Sequence, residues 1–196
     1  IDMSLPESPA PQPAPAASDP FANLPGHPMM WILIGSELLV FGGALLAFSG
    51  ARLLDPAGFT EAQNHLDRLT GLINVMVLLT SGLFAAFAVE AVRHDRVAAA
   101  RRFMLLASLL GAVFLTVKGY EYSNELAAGL TIESGTFFTL YYLITGFHAL
   151  HVMLGIIILA IVAVWPSLIN VETGAAFWHM VDLIWVLVFP VLYLVR

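Results

Sequence analysis

Residues 136–165 read TFFTLYYLITGFHALHVMLGIIILAIVAVW, a run that holds no Asp, Glu, Lys or Arg. No ordinary soluble core takes up a continuous apolar stretch of that length. As a helix rising about 1.5 Å per residue it is about 45 Å long, more than the roughly 30 Å of hydrocarbon in a bilayer. It does not alternate as a lipid-facing β-strand must. The stretch therefore predicts a membrane-crossing helix that tilts or extends into water.

Four further runs resemble it, at 29–54, 69–92, 103–122 and 177–195. Together they predict an all-α fold, a polytopic membrane helix bundle with five transmembrane helices. Each span must be helical because lipid offers no partner to an open backbone group. The composition agrees: 59% of the 196 residues are hydrophobic and 11% charged, and mean hydropathy is +0.85. Soluble domains lie near 45–50% apolar and about 25% charged. Small-residue pairs four apart (Gly43/Ala47, Gly82/Ala86, Ala107/Gly111) mark places where helices could approach closely.

Before the first span, residues 1–28 hold eight of the eleven prolines. Proline fixes φ and removes a backbone donor, so this is read as a disordered Pro-rich N-terminal tail. It lacks the basic start and short apolar run of a cleavable signal peptide. The domain proper is 29–196. Cysteine is absent, which excludes disulfides, thiolate metal sites and c-type haem attachment. There is no basic stripe for nucleic acid. Arg93, Arg96, Arg101 and Arg102 crowd the loop between spans two and three, against Arg52, Arg68 and Arg196 on the opposite side. By the positive-inside rule this puts the N-terminus in the cytoplasm and the C-terminus outside a bacterial inner membrane.

Ionisable groups inside a span cost at least roughly 2.5–3.5 kcal/mol when lipid-facing, so they point inward and mark function. Glu37 lies in span one, about 12 Å along the helix from Met29. It is read as a buried acid that exchanges a proton or bonds another span. Tyr141, Thr145, His148 and His151 share one face of span four through spacings of four and three. Two histidines could serve a metal, with Glu37, His179 or Asp182 as further ligands, or could simply pack. Trp178, Asp182 and Trp185 share a face of span five beside His179, in what the pattern makes its first two turns, near the cytoplasmic surface. There Asp182 complements the helix N-terminus, and the group reads as an interhelical anchor. Lys118 and Glu121 end span three and can pair and snorkel outward. Glu90 precedes Arg93 by three residues.

Three motifs in order resemble subunit III of the haem–copper oxidase superfamily. Trp31-Ile32-Leu33-Ile34-Gly35-Ser36-Glu37-Leu38-Leu39-Val40-Phe41 is similar to the first helix shared across the family, with Glu37 at the position of its buried, carbodiimide-reactive carboxyl. Thr145-Gly146-Phe147-His148-Ala149-Leu150-His151-Val152 is close to Gly-Phe-His-Gly-Leu-His-Val, with Ala149 in place of glycine. Phe177-Trp178-His179-Met180-Val181-Asp182-Leu183-Ile184-Trp185 is similar to Trp-His-Phe-Val-Asp-Val-Val-Trp. Mitochondrial-type members have seven helices; the five spans here resemble the five-helix branch. Lys118-Gly119-Tyr120-Glu121-Tyr122, Leu126-Ala127-Ala128-Gly129-Leu130-Thr131 and the ending from Phe189 look most like the NorE-type protein of nitric oxide reductase clusters.

The resemblance implies a non-catalytic accessory subunit with no catalytic residue, metal or cofactor of its own. Haem and copper would sit in the partner, catalytic subunit I. Phospholipid binding, proton uptake and sustained turnover, in oxygen- or nitric-oxide-linked electron transport, come with it. Two other readings stay open. One is an independent membrane metal- or haem-binding redox protein using His148, His151 and His179. The other is a small transporter with Glu37 and Glu90 as proton carriers, against which stands the lack of two equal halves.

Overall fold

The computed structural model describes residues 28–195, and among these the elements are helical. In chain order they are α1 (Pro28–Leu54), α2 (Pro56–Gln63), α3 (Arg68–Arg93), α4 (Val97–Ala127), α5 (Thr136–Val164) and α6 (Leu168–Phe189), followed by a π-helical segment, Pro190–Leu194. α1, α3, α4, α5 and α6 with its π extension are long and apolar enough to span a membrane. The expected tail, except Pro28, lies outside the described residues, as does Arg196.

α6 is the most buried span and α1 the least. α3 packs chiefly on α4 and α6, α5 on α4 and α6, and α1 lies against α5 and α6. Gly82 and the Ala107/Gly111 pair sit at such contacts, while Ala86 is exposed and lines an open groove. A Cβ on Gly111 would stand 2.5 Å from the Trp178 ring, and one on Gly82 would stand 2.1 Å from the Asp182 carboxylate. Gly43 does not belong to this set. It faces open space on the outer side of α1, so the Gly43/Ala47 pair brings no helix of this chain close.

Three boundaries differ from the hydropathy reading. α4 begins six residues earlier than 103, because the alanines at 98–100 and the two arginines after them are good helix formers; Arg101 Nε reaches the Ala163 carbonyl at 2.8 Å. It ends in a Schellman motif: Leu130 N–H donates to Glu125 O, Gly129 N–H to Leu126 O, and Gly129 takes φ +80°. α6 begins at Leu168, nine residues before 177, capped by Ser167 Oγ accepting from Asn170 N–H. Its polar start resembled a loop, yet Glu172 pairs there with Arg93 at 3.0 Å.

The short α2 has Asp55 as its N-cap and Pro56 at its first position. That proline is suited to the place, since its fixed φ fits and its missing N–H is an orphan anyway. α2 positions Gln63, fully buried, beneath the π segment. Pro190 interrupts the α6 hydrogen-bond ladder, and Gln63 Nε2 donates to the carbonyls of Leu192 (2.9 Å) and Val195 (3.0 Å). Arg52 also donates to Val195 O. These contacts satisfy carbonyls that would otherwise end the helix without partners.

Candidate functional site

One face of α5 carries the expected stripe through the bundle. His148 is fully buried and His151 partly so. His151 Nε2 stands 3.1 Å from Glu37 Oε2 across the α1–α5 contact, with the side chains 12% and 19% exposed. The two atoms are within ion-pair distance, but the ring is not aligned for a hydrogen bond. The other ring nitrogen, Nδ1, is 2.9 Å from the Phe147 carbonyl. A carbonyl only accepts, so Nδ1 carries a proton.

His148 has a different surrounding. It stacks on Trp185 (ring centroids 4.9 Å apart) and meets Phe114 edge-on at 5.6 Å. Neither of its nitrogens, nor Trp185 Nε1, has a protein hydrogen-bond partner. Buried polar atoms of this kind commonly bind internal water. One turn further along, Thr145 Oγ1 donates to Tyr141 O at 2.6 Å and lies 2.5 Å from the Tyr122 hydroxyl.

Lys118 and Glu121 do not snorkel outward. Their exposures are 2% and 6%, because α4 runs on to Ala127 and leaves both a turn or more inside its end. Lys118 Nζ donates to Tyr193 Oη (2.6 Å), Tyr141 Oη (2.8 Å) and Glu121 Oε2 (3.1 Å). Tyr193 Oη donates to Glu121 Oε1 at 2.5 Å, and Tyr141 Oη to Glu125 Oε1 at 2.8 Å. The cluster ties α4, α5 and the π segment together.

Trp178, Asp182 and Trp185 are buried on α6, but not in its first two turns. His179 and Asp182 come 11 and 14 residues after Leu168, about 16 and 21 Å into the helix. Asp182 therefore does not serve the helix N-terminus. His179 Nδ1 is 3.9 Å from Asp182 Oδ2, beyond hydrogen-bond reach. The Trp178 indole donates to Ser81 Oγ at 3.0 Å, and Ser81 Oγ donates to Ala107 O at 2.7 Å. Glu90 pairs with His94 (2.9 Å) rather than with Arg93. Beside these groups, α1, α3 and α6 enclose a groove of about 490 Å³ with an apolar floor including Ala86, Val89 and Met180. Trp31, Arg93, Glu172 and His179 also line it.

Residues 28–195 match the family model for cytochrome c oxidase subunit III. The chain belongs to the cytochrome c oxidase subunit III family. Among its relatives is cytochrome c oxidase subunit 3 of Corynebacterium diphtheriae, 30% identical over 175 residues that cover 84% of this chain and 85% of the relative. Cytochrome c oxidase subunit 3 of Thermostichus vulcanus is 31% identical over 173 residues, covering 83% and 84%. A longer protein of Aeropyrum pernix, named heme-copper oxidase subunit I+III, is 34% identical over 181 residues, covering 85% of this chain and 22% of that protein.

In this subunit III chain the three motifs converge on one interior. Glu37 from the first meets His151 from the second, and His148 from the second stacks on Trp185 from the third. The sequence reading missed Glu125, Tyr193, Ser81 and Gln63. Glu125 was within reach of the pattern, since 118, 121 and 125 follow the i, i+3, i+7 spacing of one face. Gln63 and Tyr193 gave no comparable signal, because their partners lie 129 and 75 residues away.

Proposed function

We propose that this chain is a non-catalytic accessory subunit of a haem–copper respiratory oxidase, packed on catalytic subunit I in a bacterial inner membrane. The observation that carries the reading is the family match, which takes in every membrane span. The Aeropyrum pernix relative supports packing on subunit I, since its name joins subunits I and III in one protein. The relatives' names also favour oxygen over nitric oxide as the acceptor of the whole complex. Haem and copper belong to the partner.

Within this role, Glu37 and His151, which face each other across α1 and α5 at 3.1 Å, support proton uptake by the complex. The groove between α1, α3 and α6 takes a phospholipid: its apolar floor suits an acyl chain, and Arg93 suits a phosphate. The α3–α4 connection faces the cytoplasm and the π segment the outside. The test compares the oxidase complex with and without this chain. The expected result is that oxygen reduction begins at a similar rate in both but decays faster without the chain. A complex whose turnover and lifetime are indifferent to the chain contradicts the proposal.

A further inference from the structure

We propose that Glu125 is a proton-binding site that exchanges with water at the α2 end of the bundle, through the pocket that it lines. The case rests on counting donors and acceptors. Lys118 makes three hydrogen bonds as donor, to Tyr193, Tyr141 and Glu121. That matches the three protons of an ammonium. The tyrosine oxygens accept from it and turn their own protons toward carboxylates. Glu121 accepts on both oxygens, from Lys118 on Oε2 and from Tyr193 on Oε1. Lys118 and Glu121 thus form a neutral pair with its hydrogen bonds made.

Glu125 is left over. It is only 5% exposed, and the single Tyr141 hydroxyl proton is shared between its Oε1 at 2.8 Å and Glu121 Oε1 at 3.0 Å. Its Oε2 is buried without any protein partner. A second carboxylate here would be an uncompensated buried charge, which is expensive. A proton on Oε2 removes that charge: carboxylate and hydronium give the acid and water, and no electron moves. The O–H then needs an acceptor. Glu125 lines a pocket of about 170 Å³, together with His65, Asp67, Thr70, Tyr120, Glu121 and Asn124. That space has room for several waters, at about 30 Å³ each. The groups around Glu125 are Lys118, Glu121 and Tyr122 on α4, Tyr141 and Tyr142 on α5, Tyr193 on the π segment, and His65 and Asp67 across the pocket. Lys118, the one fixed cation among them, already has three acceptors.

Infrared spectroscopy of the full chain in mild detergent tests this. The spectrum at neutral pH should contain the C=O stretch of a protonated carboxyl, which Glu125→Gln removes and which shifts promptly in heavy water. Ala128→Phe, at the pocket wall, should keep the band and slow its shift. If Glu125→Gln fails to fold, Glu125→Asp must keep a protonated-carboxyl band at a shifted frequency. A spectrum in which Glu125→Gln removes only an ionised carboxylate overturns the proposal. So does a band that stays at the native frequency in Glu125→Asp, or an Ala128→Phe exchange rate equal to the native one.

Discussion

The Trp178 indole donates its N–H to Ser81 Oγ at 3.0 Å while its six-membered ring lies between two glycines. Cβ atoms on Gly111 and Gly155 would stand 2.5 Å and 2.6 Å from that ring. One side chain of α6 therefore touches α3, α4 and α5 at once, and sets how closely three helices approach it.

This arrangement predicts unequal effects for glycine substitutions. Gly111→Ala and Gly155→Ala force the ring or a helix to move and should each cost about 1–3 kcal/mol. Gly43→Ala meets nothing within 4 Å and should leave the isolated chain as stable as before or slightly more so, since alanine is the better helix former. Thermal unfolding in one detergent measures all three.

At the α1–α5 contact, Glu37→Gln keeps the shape of the side chain beside His151. It removes the carboxyl's capacity to gain and lose a proton. The expected outcome is normal assembly with a slower or shorter-lived turnover of the complex. Failure of the variant to fold would show that Glu37 is chiefly a structural group.

Gln63 supplies both bonds from α2 to the carbonyls of Leu192 and Val195 at the end of the π segment. Gln63→Leu leaves the buried Leu192 carbonyl without this donor, while Val195 O keeps Arg52, and should cost about 1–3 kcal/mol. Hydrogen exchange should rise first at 190–195, before the rest of α6.

Much of the fold was legible because lipid enforces a simple rule: a long uncharged run is a helix. The ends were less so. The span predicted at 177–195 left out Asn170, Glu172 and Thr173, whereas α6 takes them in and Glu172 meets Arg93 there. The inward stripe of α5 followed from spacing alone. The inward turn of Lys118 did not, because its partner Tyr193 comes from beyond the proline-interrupted end of α6. The Asp55-Pro56 pair was a usable cue for α2, with an N-cap and a first-turn proline side by side.

Asp67 gives a pH prediction outside the spans. It caps α3 by accepting from Leu69 N–H, and the Thr70 hydroxyl bonds its other oxygen at 2.5 Å. The Thr70 bond holds the Asp67 carboxyl below its usual value of 3.8. A depressed carboxyl contributes stability that is complete above the unfolded value and is lost as pH falls through the folded one. The thermal midpoint should therefore decline in acid below about pH 4, and Thr70→Val should flatten part of that decline. An identical acid profile for the variant would place the loss elsewhere.

The most direct measurement is the visible spectrum of what the tagged chain brings with it from its own membrane in mild detergent. A Soret band that travels with a large haem–copper subunit, and that leaves when the chain is stripped from it, is the predicted result. A colourless preparation with no such partner, or a Soret band retained by the stripped chain, would contradict the assignment.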